Sequence, residues 1–122
     1  VAIGDAFTEE EGRRAASKIL ATQKKFTAIV AANDLMALGC YDELLANGLK
    51  CPGDISVVGV DDMPFASHFT PPLTTIHTPL LDVGAEAARI LLDYIEEPTL
   101  PPRALKIRPE LIVRKSTGIP NV

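Results

Sequence analysis

Tryptophan is absent from this sequence, aromatic residues make up only 5% of it, and 122 residues hold just two cysteines and two histidines. Each scarcity closes off a class of chemistry. Cys40 and Cys51 are too few for the dense disulfide framework of a small secreted domain; one falls within a helical pattern and the other in a turn before Pro52. Both read as unreactive thiols of a reducing, cytoplasmic compartment. His68 and His77 have no H-E-x-x-H or C-x-x-C spacing around them, so neither a metal nor a cofactor is expected, and both read as surface or interface residues. A G-x-S-x-G elbow, a Walker loop and a G-x-G-x-x-G turn are also missing. Asp61 and Asp62 are adjacent, and neighbours after a strand point apart instead of forming an acid/base pair. The expectation is a protein that is not an enzyme. No apolar run approaches the ~20 residues that cross a bilayer, and Phe26 to Ala32 is only strand-sized, so no membrane partner is expected. No basic stretch leads into an apolar one as in a signal peptide, and a start at Val1, not Met, points to a missing true N-terminus. Positive charge is scarce too. The net charge is −4, and Arg13–Arg14, Lys24–Lys25 and Arg114–Lys115 are isolated pairs, not the concentrated footprint that DNA phosphates require.

What the sequence does have is an apolar fraction of 47%, ordinary for one compact soluble domain. Three apolar runs recur at a regular interval: Val1–Ile3, Ala28–Ala31 and Ile55–Val60. They lack apolar/polar alternation, as strands buried on both faces do. Helical patterns lie between them. Thr8 and Glu11 form a capping box, followed by Gly12, Ala15, Ala16, Ile19 and Leu20 at helical spacing, a stripe small enough to sit close to a sheet. The second helix starts at Asn33–Asp34 and stops at Asn47–Gly48, with Ala37, Cys40, Tyr41, Leu44 and Leu45 as its buried stripe. Leu35 and Met36 fall outside that stripe, so the first turns are apolar nearly all round and need a packing partner beyond the sheet. The βαβαβ alternation predicts an α/β fold on a parallel sheet.

Beyond Asp61 the pattern changes. Met63 to Pro72 is irregular, Thr74–Ile76 is a short strand, and a third helix runs from about Leu81 to Ile95. Pro101–Pro102 marks a linker, and Leu105 to Arg114 closes the chain with one or two strands around Pro109.

Ligands of open parallel sheets bind at the carboxyl ends of the strands. Phe7, Asn33 and Asp61 each follow one of the three runs. They supply an aromatic face, an amide and a carboxylate, a set suited to a polar ring. The alternatives are structural: Asn33 or Asp34 as a helix cap, Asp61 or Asp62 capping the next turn, and Phe7 as core.

Several blocks are more specific. Phe26–Gly39 (FTAIVAANDLMALG), Pro52–Asp62 (PGDISVVGVDD), Pro71–Ile76 (PPLTTI) and Pro109–Thr117 (PELIVRKST) resemble, in order, signatures of the LacI–GalR family of bacterial transcriptional regulators. Gly84 and Ala87–Ala88 match the helix that follows PPLTTI, and the resemblance covers essentially the whole chain. It implies a type I periplasmic-binding-protein-like fold of two subdomains around an effector cleft. By that resemblance, 1–78 and 110–122 belong to the second subdomain and 79–109 to a crossover segment of the first. The helix-turn-helix, the hinge helix and most of the first subdomain, with an arginine that commonly holds the effector, are absent from this chain. The resemblance implies effector contacts at Phe7, Asn33 and Asp61, with Thr78 and Leu80 at the crossover beside the cleft. Dimer contacts are implied at Leu38 and at Phe65, Ala66, His68 and Phe69. Val60 stands where the family commonly has an aromatic. The implied function is the effector-binding part of a homodimeric repressor that takes a sugar or purine-like molecule and touches DNA only through its missing N-terminal domain. A periplasmic sugar-binding protein of a transport system is the alternative reading.

Overall fold

The computed structural model describes residues 6–121. The strand expected at Val1–Ile3 lies outside them. Helix α1 (Glu9–Ala21) is followed by strand β1 (Ala28–Val30), helix α2 (Asp34–Ala46) and strand β2 (Ser56–Asp61). A short 3₁₀ turn (Pro64–His68) leads to strand β3 (Thr74–His77), helix α3 (Leu80–Glu96) and strand β4 (Glu110–Ile112). The sheet has the order β1-β2-β3-β4. β1, β2 and β3 run parallel, whereas β4 pairs antiparallel to β3, with Thr75 opposite Ile112 and His77 opposite Glu110. The parallel expectation therefore holds for three strands, and the closing strand makes the sheet mixed. The chain returns through a long excursion, α3 and the segment after it, so it can enter from either end.

The local signals explain the helix limits. The Thr8 hydroxyl accepts the Glu11 N–H at 3.3 Å, and Glu9, Glu10 and Glu11 put negative charge at the positive end of α1. Asn47 caps α2, and Gly48 takes the left-handed φ of 70° that ends it.

The stripe of small residues on α1 serves a different neighbour from the one expected. A Cβ on Gly12 would stand 2.2 Å from the Met36 carbonyl oxygen, and one on Gly39 would stand 2.0 Å from that of Glu9. Two glycines thus bring α1 and α2 into backbone contact, and the Cys40 thiol reaches the Gly12 carbonyl at 3.7 Å. Among the described residues α1 packs mainly on α2, not on the sheet. This contact also corrects the reading of α2: Met36 is buried under α1, while Leu45 is exposed. Below α2, Ala37 and Leu44 pack with Ile29, Val57 and Leu73 as the core. Ser116 ties the C-terminal tail to the sheet. Its hydroxyl donates to the Val57 carbonyl at 2.6 Å and accepts the Thr74 N–H at 2.7 Å.

Helix α3 stands apart from this core. None of its residues is buried, and Leu81 is 90% exposed. The segment after it is held against it. The Tyr94 hydroxyl donates to the Pro101 carbonyl and accepts the Arg103 N–H, both at 2.8 Å, and Arg103 pairs with Asp93 at 2.6 Å.

Candidate functional site

Because β1, β2 and β3 are parallel, their carboxyl ends share one edge of the sheet. Val30 lies opposite Val58 and Asp61 opposite His77, so continuing the register places Asn33 level with Asp61. Thr78 follows directly after β3. Three of the expected site residues therefore lie along one edge, and Phe7 joins them through a hydrogen bond.

Asn33 makes that link. Its Oδ1 accepts the Met36 N–H at 2.9 Å and caps α2, while its Nδ2 donates to the Phe7 carbonyl at 3.2 Å. The cap alternative is thus realised, and it leaves one N–H and one lone pair of the amide for a ligand. Phe7 is not core: it is 69% exposed, with its ring free to stack. The Thr78 carbonyl accepts the Leu80 N–H at 2.7 Å, and the Thr78 side chain is half-buried beside α3.

The two adjacent carboxylates have different fates. Asp62 is engaged on both oxygens: Oδ1 lies 2.6 Å from an Arg114 guanidinium nitrogen, and Oδ2 lies 3.2 Å from His77 Nδ1, at an angle that makes no hydrogen bond. The Asp61 carboxylate makes no hydrogen bond or ion pair among the described residues. It is half-buried at the lip of the sheet, with backbone φ of 100°, and Asp62 follows at 55°. Neither caps the next turn. That turn starts at Met63, whose N–H is taken by Asp34 at 2.7 Å.

The sequence offers Asp34 as a helix cap, and in the structure it does something else. It is fully buried, and it accepts the Thr75 hydroxyl at 2.6 Å as well as the Met63 N–H. A Cβ on Gly59 would lie 2.3 Å from its Oδ1, so glycine is what leaves room for the carboxylate. Burial raises its pKa above the usual aspartate value, the bonds from Thr75 and Met63 lower it, and the charges of Asp61 and Asp62 raise it further. The sequence pattern does not single out Arg114, Thr75 or Asp34 as site residues. Their partners lie 29 to 52 positions away in sequence, and no local spacing announces such pairs.

The expected interface residues separate into two groups. Leu38, Phe65 and Phe69 are half-buried and His68 is exposed; Phe65 stacks on Phe69 at 5.9 Å, and Phe69 meets Tyr41 edge-on at 5.2 Å. Ala66 has no exposed surface and belongs to this chain's core, so its methyl cannot contribute to a contact with another chain. A broad hollow lies elsewhere, between α1 and β1, and is lined by Phe7 and Met36 but by neither Asn33 nor Asp61. Its lining is mainly apolar, with Lys18, Thr22, Lys24 and Lys25 as its polar members. No cluster of metal-ligating side chains occurs among the described residues, and no helix there is long and apolar enough to cross a membrane.

A family model described as a periplasmic binding protein-like domain matches residues 1–117. The HTH-type transcriptional repressor PurR of Vibrio campbellii is 46% identical over 102 residues, which is 84% of this chain and 30% of that protein. PurR of Haemophilus influenzae is 40% identical over 114 residues, covering 91% of this chain and 34% of its own. Among solved structures, a LacI family transcriptional regulator from Enterococcus faecalis with bound ribose superposes with a TM-score of 0.85 at 34% identity, over 92% of this chain and 41% of that one. The transcriptional regulator CelR in complex with cellobiose gives a TM-score of 0.86 at 38% identity, over 90% and 34%. The chain spans about a third of the length of the curated relatives it matches.

Proposed function

This chain belongs to the periplasmic binding protein-like domain family, in its LacI–GalR effector-binding branch, and from that premise we infer that it is the ligand-sensing portion of a transcriptional repressor. The observation that carries this reading is the edge of the sheet. There the Asp61 carboxylate has no partner among the described residues, Asp62 beside it is already paired, and an exposed Phe7 is tethered to Asn33. A stacking ring, an amide and an unpaired carboxylate suit a hydroxylated ring or a purine base, and Thr78 extends the same edge. Relatives with bound ribose and cellobiose support a sugar.

Residues 1–78 and 110–122 form one lobe in this reading, and 79–109 cross to a second lobe that completes the cleft. The exposed α3 supports that division, because its apolar side chains find no core here. Ligand closure of the two lobes would change the geometry of a homodimer built through Leu38, Phe65, His68 and Phe69. Operator DNA would feel the change through a domain outside this chain. Neither catalysis nor a cofactor has a part in this reading. The protein works in the cytoplasm, where its operator is. The repressor relatives favour it over a periplasmic transport component.

Calorimetry on the full-length gene product tests the assignment, with D-ribose, cellobiose, hypoxanthine and guanine as probes. Asn33→Ser, which keeps a helix cap, and Asp61→Asn are each expected to weaken the best probe by about 1–3 kcal/mol. Unchanged affinity in both variants rules the site out.

A further inference from the structure

We propose that Arg114 and Asp34 are positioning residues that clamp the Asp61–Asp62 step in its left-handed backbone and so present the Asp61 carboxylate to the ligand. The inference rests on the effector-site reading above and adds residues to it. An L-residue at positive φ is disfavoured, and two in succession persist only where the surroundings fix them. Here the fixing groups stand at the step and just after it. Downstream, the Met63 N–H is held by the buried Asp34 carboxylate at 2.7 Å, itself anchored by the Thr75 hydroxyl at 2.6 Å. At the step itself, Arg114 grips the Asp62 carboxylate at 2.6 Å through one nitrogen and the Leu73 carbonyl at 2.9 Å through another. His77 stands on the other Asp62 oxygen at 3.2 Å.

The division of labour between the two carboxylates follows from this geometry. Along an extended strand, successive side chains alternate between faces. At φ of 100° and 55° the chain leaves that alternation, and Asp62 is drawn to the Arg114 side while Asp61 keeps its carboxylate unpaired. Arg114 and Asp34 need no contact with the ligand to matter. They decide where the Asp61 carboxylate stands before the ligand arrives, which lowers the ordering cost of binding.

Glycine separates this role from a merely structural one, because it adopts positive φ without a side-chain penalty. Binding of the same four probes to the full-length gene product is compared for wild type, Asp61→Asn, Arg114→Met, Arg114→Lys and two double variants. These add Asp62→Gly or Asp62→Ala to Arg114→Met. Arg114→Met is expected to weaken the best probe by about tenfold, the scale of a left-handed residue left unsupported. Adding Asp62→Gly should restore most of that loss. Adding Asp62→Ala removes the same stranded charge but not the backbone penalty, and should restore little. Arg114→Lys keeps the charge without bridging Leu73 and Asp62, and should fall between; it stands in if Arg114→Met does not fold. Crystal structures of the same variants give a readout that needs no ligand: the left-handed step should relax in Arg114→Met and be kept with Asp62→Gly. Equal binding by the two double variants, or an unrelaxed step in Arg114→Met, overturns the clamp even if Asp61→Asn abolishes binding and so upholds the site. Unchanged binding in Asp61→Asn strikes the site assignment instead, and the crystallographic comparison still decides the clamp.

Discussion

At the scale of single residues, burial decides the chemistry of the titratable groups. Desolvation lifts the Cys40 thiol to about 11 and also raises Cys51, so both stay neutral and poorly nucleophilic near neutral pH. Alkylation by iodoacetamide at mildly alkaline pH should therefore be slow in the native protein and fast in denaturant, followed by mass spectrometry. Two rapidly labelled thiols in the folded state would contradict the structure. Asp34 offers a test by pH. Its folded pKa lies above the ordinary 3.8, so the folded state holds the proton more tightly than the unfolded chain. The resulting stabilisation is complete below 3.8 and is lost as pH rises through the folded value. Asp34→Asn cannot titrate there, and its urea midpoint should be flatter across that window than the wild-type one. Parallel pH curves for the two proteins would mean that Asp34 is not the group responsible. Asp61 and Asp62 show how little residue type alone reveals, since two identical neighbours end as one unpaired and one paired carboxylate.

At the scale of elements, glycine has opposite meanings in two helices. Gly39 sits where a methyl would strike the α1 backbone, 2.0 Å from the Glu9 oxygen and 2.6 Å from the Arg13 nitrogen. Gly39→Ala should force the helices apart and lower the unfolding free energy by about 3 kcal/mol, as overpacking against an unyielding neighbour does. In α3 nothing lies within 4 Å of a Cβ built on Gly84. Gly84→Ala should raise the stability of that helix by about 0.5–1 kcal/mol, through the lower backbone entropy of alanine. Urea melts of both variants check the pair, and a harmless Gly39→Ala would refute the close crossing of α1 and α2. The helix starts and stops were legible because caps are local: Thr8 and Asn33 each bond an N–H three residues on. The partner of α1 was not, because a stripe of small residues permits close approach to a helix or a sheet equally well.

At the scale of the whole molecule, the apolar face of α3 is left without cover among the described residues. Leu81, Leu91, Leu92 and Ile95 are all exposed along α3, and each is worth roughly 1.5–3 kcal/mol when buried. The chain by itself should therefore self-associate through this face, and Leu81→Glu with Leu92→Glu should shift sedimentation toward the monomer. A wild-type chain that stays monomeric at high concentration with α3 ordered would count against that face as a contact surface. Thr78 came only from the family resemblance, but the sequence by itself determined the α/β class, the order of the described elements and the edge of the sheet where Asn33 and Asp61 gather. These depend on periodicity, caps and strand ends, which are properties of neighbouring residues. Only the tertiary structure decided that β4 runs antiparallel, that Ala66 is core, and that Arg114 takes Asp62 and leaves Asp61 unpaired. Those outcomes depend on contacts between residues far apart in the chain, where nothing in the local pattern selects one partner over another until packing brings them together.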